Sequence, residues 1–218
     1  MFNGHDSELL HFNSQGQLLE RFSAPGTGQH ILNDLVVYRS REIYVTDTAA
    51  HQVYRFDRKQ HSFTPLAFHR PLFYPNGIAL SDDGSLLFVA DLMGVIQVDF
   101  RNNADLRNKA TREVDPGKHS TLAGIDGLYS YRGNLIGVQY GTGSYRVARW
   151  RLSPDEGTVV STEVLEYRTP LVSDPTTGAI TKGKFYFIGN TGIDNYKDGR
   201  VVDPKKLEPI NIAVVPLD

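Results

Sequence analysis

The chain has 218 residues, 40% of them apolar, with 23 basic residues against 25 acidic ones and a formal charge of −2, a composition that belongs to a globular domain rather than a disordered chain. The charges are scattered, so no basic stripe offers itself to a nucleic-acid backbone, and the longest apolar runs, such as Ile78 to Leu80 and Leu86 to Ala90, fall far short of the roughly 20 residues of a membrane-spanning helix. Without cysteine there is no disulfide framework, no zinc–thiolate site and no thiol nucleophile; the residues after Met1 do not read as a secretory signal, and localisation stays open.

Short β-branched and aromatic runs bounded by Gly, Asp, Asn and Pro recur along the chain, whereas helical periodicity is hard to find, so the fold class is all-β. First comes SELLHFNSQGQLLERF, two alternating segments about Gln15-Gly16, which read as the outer pair of strands of a blade over residues 5–24. LNDLVVYRSREIYVTD then precedes VYRFD, and the pattern returns from Pro75 as PNGIALSDDGSLLFVAD before VIQVD. It continues from Ile125 as IDGLYSYRGNLIGVQY and RVARWRL, and more weakly from Thr176 as TTGAITKGKFYFIGN.

Anchored at Asn33, Asn76, Asp126 and Thr177, the repeat steps are 43, 50 and 51 residues; anchored at Asp47, Asp91, Tyr140 and Asn190 they are 44, 49 and 50. A period of roughly 40 to 50 residues with four short strands predicts a β-propeller. Its blades are expected over residues 30–68, 74–115, 124–167 and 173–218, four full blades plus the half blade at 5–24, in a single domain. In the second repeat the strands are predicted at Gly77 to Ser81, Leu86 to Ala90, Val95 to Phe100 and near Lys109 to Val114. Blades of this length usually close six to a ring, so about 65 to 75 further residues are expected before Met1. The alternative is a small ring in which the N-terminal pair completes a blade with a C-terminal strand at Asn211 to Leu217.

The first residues of the inner strands ring one mouth of a propeller's channel, and here they are Asn33, Asn76, Asp126 and Thr177. All supply oxygen and none sulfur or imidazole, which suits a hard divalent cation. Asn-Asp, Asn-Gly and Asp-Gly are equally the dipeptides of tight turns, so a purely local role is the competing reading of each.

LNDLVV, YPNGIALSDDGSLLFVAD and IDGLYSYRGNL resemble the gluconolactonase, senescence marker protein and luciferin-regenerating enzyme family, over most of the chain from Ile31. The resemblance implies a six-bladed propeller and a divalent metal, most often Ca²⁺, with Mg²⁺, Mn²⁺ or Zn²⁺ as alternatives. It assigns Asn76 and Asp126 as metal ligands, Asp126 as general base, and Asn33 to the substrate or a metal-bound water. It implies a small-molecule partner, a lactone or ester. Two features depart from the family. Its first-blade glutamate has no match, Glu8 lying in an outer strand, and its sugar-gripping arginine is replaced by Ile31, which implies a substrate more apolar than gluconolactone.

Of the other polar residues, His30 and His119 stand between loop and channel roles, and no pair of histidines has metal-ligand spacing. Asp47 and Asp91 are expected to anchor turns, and Gln139 and Tyr140 to line the pocket. Ser120 and Ser144 lack a Gly-x-Ser-x-Gly elbow. Two function classes follow: a metal-dependent lactonase-like hydrolase, or a non-catalytic propeller that binds a ligand or protein.

Overall fold

The computed structural model describes residues 7–101, 110–140, 145–197 and 200–218; Met1, Lys109 and Ser144, named above, lie outside them, as do residues 5 and 6 of the expected half blade. Strands β1 (Glu8–Phe12) and β2 (Leu18–Ser23) form an antiparallel pair of their own. The first blade holds β3 (Leu32–Tyr38), β4 (Glu42–Asp47), β5 (Gln52–Asp57) and β6 (Ser62–Pro65), hydrogen-bonded in chain order. The second holds β7 (Ile78–Leu80), β8 (Leu86–Ala90), β9 (Val95–Asp99) and β10 (Thr111–Glu113). The third holds β11 (Ile125–Tyr131), β12 (Asn134–Gln139), β13 (Arg146–Leu152) and β14 (Val159–Tyr167). In the fourth, β15 (Gly178–Thr181) pairs with β16 (Lys184–Ile188). An excursion then carries the short hairpin β17 (Tyr196–Lys197) and β18 (Arg200–Val201) before β19 (Ile212–Pro216) returns to β16.

The protein is thus all-β, with four blades in a propeller arrangement. Two expectations are corrected. Among the described residues the fourth blade has three strands rather than four, because the chain leaves the sheet after Ile188 and returns at Ile212. The pairing that the small-ring alternative needs is also not formed among the described residues: β19 bonds to β16, and the β1–β2 pair takes no strand from the C-terminus.

Side-chain alternation explains the stack. In β8 all five residues are buried: Leu86, Phe88 and Ala90 join the third blade's Leu128, Leu135 and Trp150 in one core. Leu87 and Val89 turn the other way, into a core with Tyr44 and Val53 of the first blade. The continuous apolar run is therefore a strand with both faces covered, while a third core joins Ile136 and Val138 to Phe185 and Phe187 of the fourth blade. Against the first blade's other face the cover is partial. Phe22 meets Phe56 at 4.6 Å between ring centroids. A cavity of about 970 Å³ remains there, lined by Leu9, Phe12, Leu35 and Val37 among others, and none of Asn33, Asn76 or Asp126 lines it.

Candidate functional site

Because the strands of a blade alternate in direction, the starts of the inner strands, the loops before them and the turns between second and third strands share one face. Three backbone bonds fix equivalent positions on it: Thr48 N–H donates to Ile31 O, Leu92 N–H to Phe73 O and Tyr140 N–H to Gly124 O, all at 2.8 to 2.9 Å. Tyr140 therefore matches Thr48 and Leu92, not Asp47 and Asp91 as the repeat alignment has it. The residue matching those aspartates is Gln139. It is fully buried, donates to Ala123 O at 2.6 Å and accepts from Arg146 Nε at 2.7 Å, so it anchors its turn and does not line a pocket, whereas Tyr140 is exposed.

In the first and third blades the ladder carries one extra residue at this mouth, between Leu32 and Leu35 and between Ile125 and Leu128. These bulges hold Asn33-Asp34 and Asp126-Gly127, and a bulge re-aims the side chains it carries. Asp126 joins three blades. Its Oδ1 accepts from Asn76 Nδ2 of the second blade at 2.6 Å, and its Oδ2 accepts from Thr176 Oγ1, before the fourth blade, at 2.5 Å. Asn76 is held in turn by the first blade, where Thr46 Oγ1 donates to Asn76 O and Thr48 Oγ1 to Pro75 O, both at 2.7 Å. Asn33 is exposed and donates to Thr48 Oγ1 at 2.9 Å, so it reaches the Asn76 segment only through that hydroxyl. Thr177, also exposed, pairs with the Tyr129 hydroxyl at 2.7 Å.

Asp34, which the sequence reading passed over, is the second carboxylate of the mouth. Its Oδ1 accepts from Leu35 N–H at 2.8 Å and its Oδ2 from Ile78 N–H at 3.2 Å. Burial pushes its pKa up to about 6 against the partial relief of those two bonds, with a smaller push from Asp126. The neighbouring Asn-Asp dipeptide was the available signal. Burial likewise raises the Tyr129 hydroxyl.

The other polar residues sort by contact. His30 is buried, its Nδ1 2.6 Å from Asp47 Oδ2, so it is a core histidine and not a solvated one. Asp47 also accepts from Ile31 N–H and Ala50 N–H; Asp91 accepts from Phe73, Met93 and Gly94 N–H and from Arg70. His119 is exposed, Ser120 accepts from Thr162, and Glu8 in β1 accepts from Arg21. Among the described residues no group of three or more His, Cys, Asp or Glu gathers as a metal site. Asp34, Asn76 and Asp126 offer oxygen ligands, which match a hard cation in kind. A half-turn of the Asn76 amide would set its oxygen beside Asp126 Oδ1, and two such acceptors repel unless a cation lies between them.

No protein-family model matches the sequence, and neither does any curated protein. Solved structures do match in fold. A structure of the nidogen/laminin complex aligns with a TM-score of 0.64 at 14% identity, over 85% of this chain and 68% of that one. A gluconolactonase from Xanthomonas campestris aligns at 0.59 and 20% identity, over 83% of this chain and 61% of that one. A luciferin-regenerating enzyme aligns at 0.58 and 14% identity, over 86% of this chain and 66% of that one. The chain thus spans about two thirds of the length of these proteins, and what it shares with them is the propeller fold.

Proposed function

We propose that the protein is a lactonase-like hydrolase whose site is the channel mouth around Asn76 and Asp126, working on a lactone or ester with a divalent cation, Ca²⁺ before Mg²⁺, Mn²⁺ or Zn²⁺. The observation that carries this reading is the 2.6 Å contact that brings Asn76 and Asp126 together from two blades at the starts of their inner strands. Both would hold the cation, which when bound supplies Lewis-acid polarisation of the carbonyl. Asp126 accepts a proton from the attacking water, whose hydroxyl adds to the acyl carbon. The acyl C–O bond breaks, and the proton passes to the leaving oxygen, giving a hydroxy acid from a lactone. Asn33 is a substrate contact at the rim. The propeller likeness to a gluconolactonase supports the reading.

The test is hydrolysis of a panel of lactones and aryl esters with Ca²⁺ and with a chelator. Turnover that needs metal and is lost in Asp126→Asn is expected; turnover unchanged in that variant overturns the role of Asp126. A second reading, a non-catalytic binding propeller, is favoured by one observation: both oxygens of Asp126 already accept hydrogen bonds within the chain. The propeller match in the nidogen/laminin complex fits that reading. Absence of turnover on the whole panel, with the fold intact, selects it.

A further inference from the structure

The first and second blades build the same turn with different surfaces. In both, a buried aspartate at the end of the second strand ties the turn to the loop before the inner strand: Asp47 binds Ile31 N–H and Ala50 N–H, and Asp91 binds Phe73 N–H, Met93 N–H and Gly94 N–H. The first turn carries Thr48, Ala49, Ala50 and His51, so the architecture requires no large apolar side chain there. The second nevertheless presents Leu92 at 47% exposure and Met93 at 64%, beside Phe73 and Tyr74 at 45% and 56%. The turn and the loop that carry them run side by side, since Leu92 N–H donates to Phe73 O at 2.8 Å.

The base under them is rigid. Arg70 Nη1 reaches Asp91 Oδ2 at 2.6 Å, and the Asp91 side chain is wholly buried. Tyr74 sits in the left-handed region at φ +52°, a conformation that costs energy for a bulky residue and persists only where its surroundings impose it. They do so here: Tyr74 N–H donates to His51 Nδ1 at 3.1 Å, and the two rings meet edge-on at 4.5 Å. Pro75 follows, and then Asn76 of the proposed site. Exposed apolar and aromatic side chains on a held loop and turn, two residues along the chain from Asn76, fit the apolar part of a substrate.

We propose that Phe73, Tyr74, Leu92 and Met93 form an apolar subsite that takes an aryl group of the lactone or ester, placing its carbonyl toward Asn76 and Asp126. The proposal deepens the hydrolase reading and rests on it for the identity of the substrate. The paired probes are γ-phenyl-γ-butyrolactone and γ-butyrolactone, with binding followed by calorimetry and hydrolysis by product formation. The wild type is expected to bind the phenyl compound at least about tenfold more tightly, the scale on which an apolar pocket discriminates small groups. In Leu92→Ser/Met93→Ser, and separately in Tyr74→Ala, the ratio of the two dissociation constants should drop toward one. Tyr74→Phe should keep it, since the ring and not the hydroxyl meets the aryl group. Equal affinities in the wild type, or a ratio unchanged in both variants, overturn the subsite. Selective binding without turnover overturns the hydrolase and leaves the subsite standing; turnover without selectivity does the reverse.

Discussion

The first and third blades carry the same bulge at the same mouth, yet their carboxylates live under different rules. Asp126 has both oxygens engaged by side-chain donors from the blades on either side, Asn76 and Thr176. Asp34, one residue further along its bulge, receives two backbone N–H groups and is pushed up to about 6 by burial. A carboxylate bridged by side-chain donors of two other blades is placed for the ligand and base role of the proposed reaction, whereas Asp34 is a group whose charge responds to pH near neutrality.

The sharpest way to break this comparison is to exchange the roles by mutation. Asp126→Asn is expected to lower kcat/KM by about 10² to 10⁴, the scale of a general base, while leaving the blades folded. Asp34→Asn is expected to fall well short of that loss. A larger loss from Asp34→Asn in steady-state kinetics would transfer the catalytic role to the first blade.

The next effect is on stability at the seam that makes Asp126 useful. A Cβ added at Gly77 would stand 2.5 Å from Asp126 O and Leu128 N, so the inner strands of the second and third blades would have to part. Gly77→Ala is expected to cost about 3 kcal/mol in denaturant unfolding, the upper end of overpacking, and to weaken the Asn76–Asp126 contact with it. A cost under about 1 kcal/mol would mean that the seam yields easily and that the contact is not enforced by packing.

How much of this was legible in the sequence depended on whether a feature is local. The repeat and its turns were, because Asp82-Asp83-Gly84 and the all-buried Leu86–Ala90 declare a hairpin and a doubly covered strand by residue type alone. What escaped was a matter of one residue. A bulge shifts which side chain faces the mouth, so Asn33 was singled out while Asp34 carries the half-buried carboxylate. The same single step separates buried Gln139 from exposed Tyr140, since consecutive residues of a strand point to opposite faces. The pairing of His30 with Asp47 spans 17 residues and no spacing rule reaches it. The strand at Asn211 to Leu217 was legible, but not its place beside β16, because it lies beyond a segment with no counterpart in the other repeats.

The pH dependence of stability sharpens the comparison from the side of Asp34. With its pKa raised from 3.8 to about 6, the folded chain keeps a proton there that the unfolded chain has already released. Stability from this group is therefore greatest below about pH 4 and is lost as pH rises through about 6. Asp34→Asn removes the titration, so the variant should gain about 2 kcal/mol relative to the wild type between pH 4 and pH 8, read from urea midpoints. Parallel profiles for the two proteins would show that Asp34 is solvated and that the contrast with Asp126 is not electrostatic.

The smallest effect tests which bulge binds the cation. A ligand taken up only by the folded state stabilises by about 1.4 kcal/mol at ten times its Kd, which for a domain of this size raises Tm by roughly 3 to 5 °C. Ca²⁺ is expected to produce that shift in the wild type and to produce none in Asp126→Asn, because the carboxylate that would face the cation is gone. In Asp34→Asn the shift should survive and lose its dependence on pH below about 6, where protonation of Asp34 otherwise weakens the negative field at the mouth. A shift that survives in Asp126→Asn and disappears in Asp34→Asn would place the cation at the first blade and reverse the assignment. No shift with any of the four cations in the wild type would leave Asp126 as an interblade anchor and favour the binding propeller.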